Sequence, residues 1–403
     1  MNYNEQQQSR NAGVVRHICA FFFALWAFIY LYCLEGELLS AVQYAYSHGV
    51  THYNHFVGAA IITIILLIVQ RVVSRIFQLP LRFHALSYFP SALLLTMLTD
   101  FNQPVISHFR FGKWAWLAPL LLLLFLLLVW TAKQVEGLLS TDSRKHLSDL
   151  LWPNALLLLI FVIISGGTHS VKDTYLYELK TERLLCEGQF SRAAEVAKKS
   201  HATSPWLTEL RSFALLKQDQ LGERLFDFPQ PGGADALLSI ADTDTTIHRF
   251  TSRDIFSHFG IKPDHSVRSA ARYLALLTER EEDIYDSLLR ENAAPALINM
   301  AQTRLRHAYD YQLCRALLNR DLNAFTQLLP NYQRVAPADT LPRSYREAIC
   351  QLDTARADTA TLSHFRRYQA MCDTLPDPLV RSNLTRRKYG TTLWWYYDNP
   401  QVH

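Results

Sequence analysis

From Trp114 to Thr131 the chain carries no charged residue, and Leu120–Val129 is ten apolar residues in a row. Hydrocarbon is the solvent for such a run, and a backbone cut off from water there must satisfy its own hydrogen bonds as helix. Four further runs follow the same logic, so five membrane spans are expected: 18–34, 57–77, 84–99, 114–131 and 150–166. Trp114, Trp116 and Trp130 flank the clearest run and are read as interfacial anchors. Arg10 and Arg16 precede the first run and Glu35 and Glu37 follow it, with no small-residue cleavage site, the pattern of a retained signal-anchor. The expected organisation is a tail (1–16), a transmembrane helical domain (17–167) and a soluble domain (168–403).

The mean hydropathy of −0.01 is the average of two unlike parts. Residues 1–166 hold 10 Lys+Arg and 7 Asp+Glu, leaving 30 and 29 for the remainder out of totals of 40 and 36. A balance so even leaves no basic footprint for nucleic acid. Within the apolar part, residues 35–56 contain no Lys or Arg. By the positive-inside rule that loop is external and the N-terminus cytoplasmic. The charge count leaves the side of the soluble domain open: five spans put it on the outer side, and it falls inside if 84–99 does not cross.

After residue 170 apolar residues recur at helical spacing, and proline-marked breaks separate stretches of about a dozen residues. No alternating strand pattern is present, so the fold class is all-α, a transmembrane bundle followed by a solenoid-like domain of paired helices. Gly188, Phe190, Ala193 and Pro205 stand at the relative spacings of a tetratricopeptide repeat, and Gly222 follows Gly188 by one 34-residue period. Of the six cysteines, none has metal-site spacing. Pairing among Cys186, Cys314, Cys350 and Cys372 is left open.

Three segments resemble a family of uncharacterised multi-pass membrane proteins of the Bacteroidetes group with a tetratricopeptide-like C-terminal region. They are Leu221–Phe226 followed by Pro229–Gln230, Leu341–Ala348, and Tyr389–Tyr397. The run Leu86–Leu98 with Pro90 is similar as well, and the resemblance thereby implies five spans in a bacterial inner membrane with the soluble domain on the periplasmic side. The resemblance implies a membrane part joined to helical repeats, and brings no activity or catalytic residue.

No phosphate loop, dinucleotide fingerprint, nucleophile elbow or His-Glu-x-x-His occurs, and no cofactor is expected. Two constellations carry chemistry. Glu35 and Glu37 sit at the outer mouth of the first span, as acidic residues do in membrane glycosyltransferases that use lipid-linked sugars. His48, His52 and His55, spaced by four and three, would form one stripe on a helix and so a metal site. The residues favour a membrane scaffold whose partners are the bilayer and an envelope protein held by residues 168–403. The alternative is an enzyme, or the relic of one, acting on lipid-linked sugar through the acidic pair.

Overall fold

In the computed structural model the described residues are 3–47, 49–100, 113–139, 147–167, 173–198, 200, 202–238, 248–259, 269–336 and 341–399. They fall into two units, one up to residue 172 and one from residue 173, and no strand occurs among them. In the first unit α1 (Tyr3–Ile29) runs into a π-helical turn (Tyr30–Leu34), then α2 (Gly36–Tyr46) and α3 (His55–Phe77). A 3₁₀ stretch (Leu81–Tyr88) leads directly into α4 (Phe89–Thr99), and α5 (Trp114–Leu139) and α6 (Leu147–Gly167) follow.

Four stretches, 10–34, 55–77, 114–137 and 147–167, are helices long and apolar enough to cross a membrane. Their outward side chains are apolar, among them Phe21, Ile64, Leu123 and Ile163. Gln70, Ser87, Ser91, Asn154 and Ser165 are buried between them. A bundle with polar groups inside and hydrocarbon outside matches an apolar solvent.

The expected span 84–99 is not a fifth such helix, because its first half is 3₁₀ and Phe83 interrupts helical geometry (φ −117°, ψ 24°). Its neighbours nevertheless fix its course. Ser91 Oγ donates to Leu66 O at 2.8 Å and Gln70 Nε2 donates to Ser87 Oγ at 2.8 Å, so it runs antiparallel to α3. The Phe23 and Tyr88 rings lie 4.8 Å apart, and the Tyr30 and Thr99 hydroxyls are 3.2 Å apart, so it runs parallel to α1. Phe89 stacks on Phe125 at 5.6 Å and Trp114 bonds Asp100, so it opposes α5. Residues 81–99 therefore pass alongside the long helices rather than turning back.

Asn154, fully buried on α6, holds the start of this segment. Its Oδ1 accepts the Ala85 amide at 2.6 Å, and its Nδ2 donates to Leu81 O at 3.0 Å. The kink at Phe83 makes this backbone irregular, and irregular backbone survives inside a membrane bundle only when protein satisfies it.

The second unit comprises α7 (Asp173–Cys186), α8 (Phe190–Ala194), α9 (Pro205–Leu216), α10 (Leu221–Arg224), α11 (Ser252–His258), α12 (Ala270–Arg290), α13 (Pro295–Leu318), α14 (Leu322–Val335), α15 (Arg343–Leu352), α16 (Thr359–Asp373), α17 (Pro378–Tyr389) and α18 (Leu393–Asp398). One device recurs. α7, α9, α12 and α13 each end on a left-handed residue: Gly188 (φ 70°), Asp219 (φ 58°), Asn292 (φ 48°) and Arg320 (φ 61°). At Gly188 the Gln189 amide reaches Leu184 O (2.8 Å) and the Gly188 amide Leu185 O (3.0 Å), the paired closure of a Schellman turn. The same two bonds form at Asp219, Asn292 and Arg320. Each turn reverses the chain into the next helix.

Trp394, Trp395 and Tyr396 are buried. Glu347 carries their helix, accepting the Leu393 amide at 2.8 Å, while Trp394 Nε1 donates to Glu347 O at 3.1 Å. The aromatic end is a packed cap.

Candidate functional site

The sequence marks Glu35 as the first charged residue after an apolar run, and the fold buries it completely. The π turn is the cause. Its wider loop, closed by the Glu35 amide on Tyr30 O at 3.1 Å, adds a residue to the end of α1. Such turns recur at functional positions. The Tyr30 hydroxyl feels the charges of Glu35 and Asp100. It also lies 3.2 Å from Thr99 Oγ1 and donates to Ser165 O at 3.4 Å. Asp100 accepts Trp114 Nε1–H at 2.7 Å and pairs with Lys113 at 2.6 Å, its own side chain 3% exposed. Two buried carboxylates, a tyrosine and a tryptophan thus meet where α1, α4, α5 and α6 come together.

An apolar groove of about 560 Å³ adjoins this cluster. Ile18, Phe22, Trp26, Leu95, Leu158 and Ser165 are among its walls. Trp26 Nε1 donates to Ser165 Oγ at 3.3 Å. Ser165 therefore belongs to both, its side chain lining the groove and its carbonyl meeting Tyr30. The volume lies within the roughly 300–1,000 Å³ usual for ligand pockets.

The other residues singled out in the sequence fall as follows. Glu37 is half-buried on α2, one turn beyond the cluster. α2 ends at Tyr46 and α3 begins at His55, so the three histidines do not share a helix. His48 lies outside the described residues, His52 is exposed in the connecting turn, and the His55 ring packs against Gly36, where a Cβ would come within 2.7 Å of Nδ1. Among the described residues no three acidic, histidine or cysteine side chains are grouped as metal ligands. Trp116 and Trp130 point outward, while Trp114 turns in to Asp100.

Gly188 is a turn residue and Pro205 opens α9. Ala193 is fully buried, and Phe190 packs against the core with Lys217 over its ring at 5.5 Å. Gly222 is not a turn: it lies in α10, where a Cβ would meet the Tyr345 ring at 2.7 Å, and Asp219 makes the turn instead. Nor does a full second helix follow Gly188. α8 is five residues long, and Ala197 adopts φ 55° soon after. All six cysteines are free thiols.

Sequence reading missed Tyr30, Thr99, Ser165 and Trp26. Thr99 and Ser165 were visible as polar residues closing apolar runs, but nothing local announced the π turn that gathers them.

Nothing in the sequence announced a second polar array, in the second unit. Lys217 Nζ lies 3.3 Å from His258 Nδ1, His258 Nε2 lies 3.0 Å from His307 Nδ1, and His307 Nε2 lies 2.7 Å from Asp219 Oδ1, which Arg306 also binds. An ammonium only donates, so each neutral imidazole takes its tautomer from the one before, and every proton points toward Asp219. Burial, together with Lys217, His307 and Arg304, pushes His258 down to about 3. Burial also lowers His307. Its hydrogen bond, with Arg306, holds Asp219 at about 2.

A model of a family of unknown function, DUF6057, matches residues 104–264 and 268–399. Tyr30, Glu35 and Asp100 precede the first matched residue; Lys113, Trp114 and Ser165 lie within it. No curated protein and no solved structure matches the chain.

Proposed function

Since the chain belongs to this family of unknown function, DUF6057, whose description carries no activity, we propose a role from the geometry: it binds an amphiphile in its apolar unit. The hydrocarbon tail occupies the groove along α1, α4 and α6, and a hydroxyl-bearing head group lies at the Tyr30–Glu35–Asp100 cluster. The observation that carries this reading is the continuity of groove and cluster through Trp26 and Ser165. A buried carboxylate accepts hydroxyl protons, and Trp26 and Trp114 offer flat faces to a sugar-like ring. Buried ionisable groups in such a bundle mark functional sites by default. A lipid-linked sugar is the substrate class that fits. Glu35 beside the Tyr30 hydroxyl is the group that would take a proton from an attacking hydroxyl, were the bound lipid also transformed.

The test is mass spectrometry of lipid retained by the full chain in mild detergent. Ala155→Trp fills the groove and is expected to remove the retained amphiphile by about tenfold, one group's worth of binding energy. Glu35→Gln is expected to weaken retention of glycosylated species selectively. Identical retention by both variants, with a profile equal to bulk lipid, overturns the reading.

The scaffold role expected for residues 168–403 is a second reading, favoured by the four hairpin turns that set helices side by side. It predicts that deleting the second unit abolishes co-purification of an envelope partner while lipid retention persists.

A further inference from the structure

On α17 the buried and exposed faces are both unusual. Thr385 and Tyr389 face inward, each 1% exposed, and the Tyr389 ring packs on His364 and Tyr368 at 5.0 and 5.1 Å. On the opposite face Leu379, Val380 and Leu384 are 76%, 45% and 50% exposed. At 100° per residue these three lie on one arc of the helix, interspersed with exposed Asn383 and Arg387, with Arg386 and Lys388 at its edges. All three basic residues are exposed, and Pro378–Tyr389 contains no acid. Asp377, just before it, is occupied in accepting the Leu379 amide at 2.9 Å.

Exposed apolar side chains interspersed with cations and without a single acid, on a helix that keeps its own inward anchor, complement the anionic surface and acyl boundary of a bilayer. The leucines would enter the acyl boundary, and the long basic side chains would reach up to headgroup phosphates. A protein partner for the same face would have to carry acid against every apolar contact, whereas an anionic bilayer supplies both at once. The apolar helices of the first unit also keep a bilayer at high effective concentration. We infer that α17 is a docking element for an anionic lipid surface, seated through Leu379, Val380 and Leu384 and held by Arg387 and Lys388. This stands apart from the amphiphile reading and uses none of its residues.

The experiment places benzoylphenylalanine at Leu384 in the full chain, reconstituted in nanodiscs of phosphatidylcholine alone or mixed with phosphatidylglycerol, and identifies the photo-adduct. The expected result is a lipid adduct, about threefold or more abundant in the anionic discs. Arg387→Gln with Lys388→Gln is expected to return that yield to the neutral level while circular dichroism stays unchanged. A protein adduct, no adduct in anionic discs, or equal yields in both discs overturns the inference. Moving the probe to Val380 gives an independent reading should the Leu384 variant fail to fold.

Discussion

His258, His307 and Asp219 are far apart in sequence and form one chain of hydrogen bonds in the fold. Neither imidazole can gain a proton without setting two N–H groups against each other. The pH consequence has a definite sign. Free His258 titrates near 6.5 and folded His258 near 3, so between these values the unfolded chain binds more protons. Stability must therefore fall as pH drops through that window, by at most about 1.4 kcal/mol per pH unit from this residue. His258→Leu is expected to flatten the acid side of a melting-temperature profile, while lowering the plateau at pH 8 because Lys217 and His307 lose a partner. Equal slopes for the wild type and His258→Leu between pH 6.5 and 4 would refute the relay. Asp310 works in the opposite sense. Burial pushes it up to about 7 beside Tyr345, whose hydroxyl donates to it at 2.7 Å, so its contribution is lost as pH rises to that value. None of this was legible in the sequence, because a lone histidine on a helix looks alike whether solvated, packed or relayed. Glu35 was legible, since a charge directly after an apolar run has few places to go. Its burial depended on the π turn, which no residue type encodes.

At the scale of elements, apolar period and proline breaks predict helices well, and turns less well. Gly188 was readable because glycine costs nothing at positive φ, but Asp219 and Asn292 carry only a weaker signal for the same left-handed position and Arg320 carries none. The 34-residue spacing pointed to Gly222, where the real constraint is the close approach of Tyr345. The 3₁₀ start of residues 81–99 is the element whose stability depends most on one distant side chain. Asn154→Leu keeps the branching and the number of side-chain heavy atoms and strands the Ala85 amide and Leu81 carbonyl. It is expected to destabilise the first unit by about 2–6 kcal/mol, one to three per stranded group. Unfolding in mixed detergent measures this, and a variant within 0.5 kcal/mol of wild type, the scatter usual for a neutral surface change, would show the latch to be idle.

For the whole molecule, an apolar and a polar part were plain from composition, and the described residues fall into two units, up to residue 172 and from residue 173. The number of passages was not. Four helices meet the length and hydropathy of a span, yet residues 81–99 lie parallel to α1 and α6 and antiparallel to α3 and α5. We predict five passages in the bilayer, an odd number, with the two chain ends on opposite sides. Reporters fused before residue 3 and after residue 399 should report different compartments, and agreement between them would return 81–99 to a segment that enters and leaves on one face. The Asn154 latch also bears on how the chain is made. The Ala85 amide is satisfied by a residue synthesised 69 positions later, so residues 81–99 complete their backbone hydrogen bonds only once α6 has been made, and a chain truncated before Asn154 is expected to lack this latch.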